Sequence, residues 1–416
     1  DKSFAVVDQK KSASEPVSDE KYKGYMKSES MKTYININGK ICFNASYANH
    51  PTGQGYAGAN IFKDLTPDAI KANTGTASRV KEFRCGVKGS RLGFSTITPV
   101  AWNGDTKDFA TKLEFDLAGE TDTDEKVSNS LKPRCRHAYV GVGPLLIGQT
   151  DSVFCDANTG MINGVDVTTS AGGCNIRQSQ IRYTYDFQDN AKWITALENP
   201  ETDGIDKDGS DTKKYDSARS NSLDIVPDLV SKLAYKLEKI EWSVSGLLRY
   251  LRVRHKDNQF SKKAGYGLAF GGRFYATDKD TFTASLRAGN GAGRYICDGA
   301  IAGAFVKNAD AKNKNGIDLQ KSLGLVLAVQ HYWDKQNDIR SNLGIGYTYA
   351  SLAEVLKENK VKGALNHGYS VHANLLWSPI KNVLDLGVEY VYGHALMASK
   401  NRIIVNRIAC CLSYAF

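Results

Sequence analysis

Apolar and polar residues alternate with a period of two along most of the chain. Near the C terminus the apolar set is Ile408, Cys410, Leu412, Tyr414 and Phe416. Successive side chains of a β-strand point to opposite faces, so this pattern predicts a strand with one apolar and one wet face. The same alternation recurs in 281–288, 338–349, 369–377 and 383–394.

About sixteen segments of this kind follow one another, and the connections between them differ in length. The segments begin near 34, 80, 108, 130, 145, 177, 191, 222, 240, 264, 281, 318, 338, 367, 383 and 402. Alternate connections are short, such as 143–144 and 237–239, while the others are long, such as 151–176 and 289–317. The turn near 99–107 is longer than the other short turns. Short turns at one end and long loops at the other are typical of outer-membrane barrels.

The tryptophans support a membrane boundary at the short turns. Trp102 lies inside one of these turns, and the remaining tryptophans, Trp193, Trp242, Trp333 and Trp377, lie beside others. Amphipathic rings collect where lipid meets water. The alternative is a soluble β-sandwich whose aromatic residues fill its core. A sandwich gives no reason for short and long connections to alternate along the chain. We therefore predict an all-β fold, an antiparallel transmembrane β-barrel of about sixteen strands with short periplasmic turns and long extracellular loops.

The chain divides into two parts on this interpretation. Residues 1–32 are polar and lack periodicity, which predicts a flexible periplasmic N-terminal segment, and 33–416 form the barrel. No signal peptide begins at Asp1, so an exported protein would be the processed form. The closing strand pairs with the first strand and faces lipid. Its terminal Phe416 is similar to the signal that barrel-assembly machinery reads in bacterial outer-membrane proteins, so we expect that machinery, outer-membrane lipid and lipopolysaccharide as partners.

Composition excludes several other classes of protein. Hydrophobic residues make up 41% of the chain and no run of about 18 apolar residues occurs, so no transmembrane helix is predicted. The net charge of +9 comes without a basic cluster interleaved with stacking aromatic residues, so no nucleic-acid partner is expected. No CxxC, HExxH or GxSxG motif is present, and we predict no metal, no cofactor and no enzymatic activity. A rim hydrolase using Ser370 with His137 or His372 is the weakest hypothesis.

The chain contains eight cysteines. Cys155 and Cys174 bracket one long loop and could form a disulfide in an oxidising compartment, or they could be buried as small apolar residues. The large number of cysteines also suggests an alternative function. The chain could be a structural or adhesive outer-membrane protein, cross-linked through cysteines, whose pore is incidental.

With the apolar residues outward, the charged residues point into a barrel wide enough for a water channel. The inward basic residues are Arg91, Lys112, Arg182, Lys192, Arg249, Arg273, Arg287, Arg340 and Arg407. The inward acidic residues are Glu114, Asp116, Asp186, Glu198, Asp385 and Glu389. Guanidinium groups bind carboxylates in a fork and are weakly hydrated, so the excess of arginine predicts a mild preference for anions. The alternation of apolar and polar residues breaks near Arg84, Arg136 and Arg177, as it does at β-bulges. The sequence therefore does not decide whether these three side chains point into the barrel or outward.

The loop 151–176 is the candidate constriction of the channel. It mixes Gly, Thr and Asn with apolar residues such as Val153 and Phe154, so it could pack against the inner wall. Its acidic residues Asp151, Asp156 and Asp166 would then face Arg182 and Arg249 across the channel. We predict that this loop folds inward and narrows the channel; a surface loop is the alternative.

Several stretches resemble the DcaP-like porins of Gram-negative bacteria. They are SRLGFSTITP (90–99), TKLEFDLAGE (111–120), RCRHAYVGVGPLLIGQTDSVFCD (134–156), IRQSQIRYTYDF (176–187), ITALENPE (194–201), PDLVSKLAYKL (227–237) and GLLRYLRV (246–253). The resemblance implies a trimeric outer-membrane porin, about sixteen-stranded, that passes small negatively charged solutes such as dicarboxylic acids. The chain departs from the family in its many cysteines and in having no heptad repeat within 1–32.

Overall fold

The computed structural model of the protein describes part of the chain. The described residues are 22–28, 30–49, 61–62, 81–119, 127–155, 164–165, 169–202, 204–205, 224–254, 260–297, 301–306, 316–334, 336, 338–351, 364–398, 400 and 402–416. Their strands are β1 (Met26–Ser28), β2 (Thr33–Ala48), β3 (Glu82–Gly86), β4 (Arg91–Trp102), β5 (Asp105–Asp116), β6 (Arg134–Val142), β7 (Leu145–Asp151), β8 (Arg177–Gln188), β9 (Ala191–Glu198), β10 (Gly204–Ile205), β11 (Asp228–Lys236), β12 (Ile240–Arg254), β13 (Phe260–Tyr275), β14 (Asp280–Asn290), β15 (Ala304–Val306), β16 (Ile317–Leu319), β17 (Lys321–Tyr332), β18 (Ile339–Ala350), β19 (Leu365–Ile380), β20 (Leu384–Met397) and β21 (Arg402–Ala415).

The long strands close into an antiparallel barrel of 16 strands, as predicted. The order around the wall follows the chain from β2 to β21, except that β10, β15 and β16 form a separate small sheet. The strands β3 and β4 count as one wall strand, because both pair with the same edge of β2. The closing strand β21 pairs with the other edge of β2, from Lys40 opposite Ala415 to Ala48 opposite Arg407. This closure removes the free sheet edges.

The barrel is apolar outside and polar inside. On β21 the outward Ile408 is 56% exposed, while the neighbouring inward Arg407 is 1% exposed. Buried serine, asparagine, glutamate and arginine side chains line the inner face of other strands. This arrangement is the inverse of a soluble sandwich, and it is the arrangement expected where the outer face meets hydrocarbon. Among the described residues, no helix is both long and apolar enough to span a membrane.

The short turns lie at one end of the barrel, and one prediction about them is wrong. The connection between β4 and β5 consists only of Asn103 and Gly104, whose φ angles are +52° and +87°. Positive φ at both central residues defines the tight hairpin turn that Asn-Gly favours, so this turn is shorter than the predicted 99–107. Trp102 is consequently the last residue of β4, beside the turn, and its side chain is exposed.

The N-terminal boundary of the barrel also differs from the prediction. Residues 1–21 lie outside the described residues, but Met26–Ser28 form β1 and pair with 33–35 of β2. Tyr22 stacks on Tyr34 with ring centroids 3.6 Å apart, and this contact fixes the start of the hairpin. The ordered structure therefore begins before residue 33.

Candidate solute channel

A cluster of charged side chains lines the inner face of β4, β5 and β6. We call Arg91, Lys112, Glu114, Asp116, Arg134 and Arg136 the basic wall. Arg136 Nε lies 2.7 Å from Glu114 Oε1, and its Nη1 lies 3.0 Å from Asp116 Oδ2. Arg134 Nη2 lies 2.6 Å from Asp116 Oδ2. Because four cations face two carboxylates, the basic wall keeps an excess of positive charge.

A bulge in β6 places Arg136 in this cluster. Glu114 pairs with His137 and Phe115 pairs with Cys135, so Arg136 is the extra residue between them. A bulge bends its strand and changes the direction of a side chain, and here it turns Arg136 toward the inward carboxylates. This bulge is the reason that the alternation of apolar and polar residues breaks near Arg136. The sequence did not decide whether Arg136 points inward or outward, and the structure turns it inward.

The other two arginines whose facing the sequence leaves open are Arg177 and Arg84. Arg177, the first residue of β8, has its Nε 3.0 Å from Asp151 Oδ1 at the end of β7. Arg84 contacts Glu82 within the short β3 and is exposed. Arg182, further along β8, donates from Nη2 to the carbonyl of Asp151 at 2.7 Å and from Nε to Gln180 at 2.9 Å.

Three of the predicted inward arginines are buried rather than open to the lumen. Arg249, Arg287 and Arg407 are 4%, 1% and 1% exposed. Arg249 binds Asp228 and donates to the carbonyls of Gly291 and Ala292, at 3.0 and 3.2 Å. Parity predicts the direction of such side chains correctly, but it carries no information about the loops that cover them.

The remaining predicted charges are distributed over the wall. Lys192 lies 3.4 Å from Asp186, and Arg340 binds Asp385 at 3.2 Å and Ser378 at 2.6 Å. Arg273 is half-buried. Asp156 and Asp166 lie outside the described residues.

The described parts of the segment 151–176 contact the far wall of the barrel. The backbone nitrogen of Ala171 donates to Ser370 Oγ on β19 at 2.9 Å. The carbonyl of Gly172 accepts from Arg287 Nη1 on β14 at 3.2 Å. Nearer the middle of the segment, the backbone nitrogen of Val165 donates to Glu389 on β20. These bonds join a segment that leaves β7 to inward side chains on the opposite side of the lumen.

Inward glycines form the surface on which these segments lie. A Cβ atom added to Gly346 would lie 2.2 Å from the carbonyl oxygen of Ala171, and one added to Gly324 would lie 2.7 Å from that of Gly172. On the neighbouring strands, a Cβ on Gly368 would meet the Phe62 ring at 2.4 Å. Only glycine lets another backbone or ring approach a strand so closely. A Cβ on Gly393 would lie 3.0 Å from Ile61 Cδ1. We call Gly324, Gly346, Gly368 and Gly393 the glycine bed.

The segment 151–176 is also fixed near its own ends. Cys155 and Cys174 form a disulfide with their Cα atoms 5.5 Å apart. Glu198, a predicted pore residue, is buried and accepts hydrogen bonds from Ser152 Oγ at 2.8 Å and from the Val153 nitrogen at 2.8 Å. Of the two states that the sequence left open for the cysteine pair, the structure has the disulfide.

A second connection packs against the first inside the barrel. In the segment 291–297, a short 3₁₀ turn carries Tyr295, whose hydroxyl lies 3.0 Å from Glu198 and 2.9 Å from Asp228. Burial, and then the charges of Glu198 and Asp228, raise the pKa of Tyr295 well above its usual value of 10, so the hydroxyl stays protonated and donates. The Phe154 ring meets Tyr295 edge to face at 5.6 Å. Sequence reasoning missed Tyr295, because nothing local marks a loop tyrosine as a partner of two strand carboxylates.

The described loop contacts avoid the three strands of the basic wall. They lie on β9, β11, β12, β14 and β17–β20, and the Val165 carbonyl also accepts from Asn44 Nδ2 on β2 at 3.1 Å. The side chains of Arg91 and Arg134 on the basic wall stay 35% and 33% exposed. Ser370 is fully buried beneath Ala171, and His372 Nδ1 lies 2.8 Å from Glu389. The described residues contain no group of three His, Cys, Asp or Glu side chains that could hold a metal.

A closed antiparallel barrel with an apolar exterior, a charged lumen and short turns at one end is an outer-membrane channel of the porin class. The chain belongs to the DcaP outer membrane protein family, whose sequence model matches residues 17–416. The resemblance found in the sequence is thereby confirmed. Family and fold are those of porin channels, and the protein resides in the outer membrane. No curated protein matches the sequence.

Solved structures share the fold at low sequence identity. The outer membrane channel DcaP of Acinetobacter baumannii is 20% identical, with a TM-score of 0.73 over 94% of this chain and 99% of that chain. The anion-selective porin from Comamonas acidovorans is 10% identical, with a TM-score of 0.51 over 92% of this chain and 100% of that chain. OmpF of Salmonella typhi in complex with daunomycin is 10% identical, with a TM-score of 0.52 over 94% and 100%. At these identities the likeness concerns the fold alone.

Proposed function

We propose that the protein is a passive diffusion porin for small, preferentially anionic solutes, with dicarboxylic acids as the chemical class. The excess positive charge of the basic wall carries this proposal, because three of its four cations, Arg91, Lys112 and Arg134, keep 35%, 22% and 33% of their side chains exposed. Guanidinium groups offer paired donors that match a carboxylate and release it readily when water competes. Glu114 and Asp116 hold Arg134 and Arg136 in place and screen part of their attraction, which favours brief contacts and therefore transport.

The loop contacts support a constriction beside this wall. Segments that rest on the glycine bed take up space on the side of β17–β20, so we propose that solutes pass along β4–β6. Arg249 and Arg287 then act as anchors for the loops. These two arginines and the buried Arg407 contribute less to selectivity. We also propose a homotrimer, by analogy with the OmpT of Vibrio cholerae that is described in a trimer form.

The test compares arginines on the basic wall with an arginine outside the lumen. Arg91→Glu changes the lumen charge by two, whereas Arg402→Glu makes the same change at an exposed position on the outer face of β21. A change of two charges at about 8 Å from a passing monovalent ion in water changes the energy of that ion by about 1 kcal/mol. Salt at about 0.1 M screens this energy to about 0.5 kcal/mol for each ion. Because the substitution disfavours the anion and favours the cation by this amount, the ratio of anion to cation permeability should fall about fivefold.

Reversal potentials in a salt gradient across planar bilayers give this ratio. We expect a shift toward cations for Arg91→Glu and none for Arg402→Glu. Arg287→Gln provides a second comparison, because loss of its bond to Gly172 should alter conductance and current noise while preserving the permeability ratio. An unchanged ratio in Arg91→Glu would refute the role of the basic wall.

A further inference from the structure

The outer face of the barrel carries an apolar groove over β12–β18. Gly272 on β13 lies opposite Trp242 on β12 and Ala284 on β14. Large side chains surround this small pair, including Phe270, Phe274 and Phe282. The register of the sheet therefore leaves a depression of about 850 Å³ where two small residues meet between rows of aromatic rings.

The lining of the groove is mainly hydrocarbon and aromatic, and Arg273 and Thr283 are its polar members. Phe270, Phe274 and Phe282 are each nearly half exposed, and Leu343 and Ile345 continue the surface on β18. Because these residues point outward from a barrel in the outer membrane, the groove faces lipid tails.

The groove ends beside two short turns that carry charges of both signs. The turn after β11 bears Glu238 and Lys239, and the turn after β13 bears Asp278 and Lys279. Lys239 is exposed, and Lys279 is partly exposed. A lysine beside an acid complements a head group that joins a phosphate to an ammonium group. Trp242 lines the groove two residues after the start of β12, near these turns, at the depth where tryptophan marks the boundary of the hydrocarbon.

We propose that this groove is a binding site for one phospholipid of phosphatidylethanolamine type, from the leaflet on the short-turn side. One acyl chain lies over Gly272 and Ala284, and the head group lies at Lys239 and Lys279. The proposal rests on the outward face and the turns, and it is independent of solute selectivity.

Filling the groove tests the proposal. A Cβ atom at Gly272 meets nothing closer than 3.8 Å, so Gly272→Leu places a side chain in the groove without a clash at its root. Gly246→Leu is the matched control, because Gly246 has the same outward parity on β12, lies outside the groove and has nothing within 4 Å of an added Cβ. Ala284→Leu fills the same groove from the next strand.

Native mass spectrometry from nanodiscs of palmitoyl-oleoyl phosphatidylethanolamine, mixed with phosphatidylglycerol, counts the lipids that stay bound. We expect the wild type and Gly246→Leu to retain one more phosphatidylethanolamine per chain than Gly272→Leu and Ala284→Leu. Equal retention by all four proteins would overturn the proposal. A change of oligomer mass in Gly272→Leu with unchanged lipid retention would also overturn it, and would assign the groove to a contact between copies of the chain.

Discussion

Replacing a glycine of the glycine bed tests how the loop is held in the lumen. In Gly346→Ala the new Cβ would lie 2.2 Å from the carbonyl oxygen of Ala171, whereas ordinary van der Waals contact begins at 3.4 Å. One of the two partners must move by about 1.2 Å. The strand β18 is held by hydrogen bonds to β17 and β19 on both edges, so the loop moves.

The cost to the loop follows from this displacement. Overpacking by one methyl group costs about 1–3 kcal/mol when the surroundings are rigid. The bond between the Ala171 nitrogen and Ser370 Oγ is stretched at the same time. At 1.4 kcal/mol per factor of ten, local opening of the loop should become about 5- to 150-fold more frequent.

Hydrogen exchange of the reconstituted protein, read by mass spectrometry, measures this opening. We expect faster exchange in the peptide that covers 169–175 and unchanged exchange in β18. Gly246→Ala is the matched control, since an added Cβ there meets nothing within 4 Å. Unchanged exchange in Gly346→Ala, or an equal increase in the control, would refute the account of the glycine bed.

Two further predictions concern the anchors of the loops. Tyr295→Phe removes the hydroxyl that bonds both Glu198 and Asp228. This loss should destabilise the 291–297 segment by about 1–3 kcal/mol and accelerate its hydrogen exchange. Tyr414→Phe, on the outer face, is the control and should leave that exchange unchanged. Replacing the disulfide cysteines Cys155 and Cys174 by serine should remove a constraint worth roughly 3 kcal/mol to the loop and increase current noise in single-channel recordings, with the melting temperature of the barrel preserved. Noise equal to that of the wild type would contradict this function of the disulfide.

The strands, and the face on which each side chain lies, could be predicted from the sequence because the alternation of neighbouring residues determines both. Alternation determines which side chains meet lipid, and the strand expected near 191 begins at Ala191. Where the pattern breaks, the prediction weakens: the bulge at Arg136 needs the partner strand to be seen. The Asn103–Gly104 turn was visible as an Asn-Gly pair between alternating segments, and a stricter use of turn chemistry would have found it.

The candidate site could be predicted only in part, because burial in the lumen depends on contacts distant in sequence. Arg91 and Arg287 have the same inward parity, yet one stays partly exposed and the other is covered by Gly172. Likewise the glycine bed arises only when the register brings Gly346 beside Ser370 and the loop crosses both. The disulfide was within reach of the sequence, since pairing of β7 with β8 brings the two ends of the 151–176 segment together.

The reversal potential of the wild-type channel in a gradient of potassium chloride tests the central claim most directly. The account predicts a potential whose sign shows that chloride crosses more readily than potassium, because the basic wall keeps four cations against two carboxylates beside the open lumen. A potential of zero, or one of the opposite sign, would contradict it.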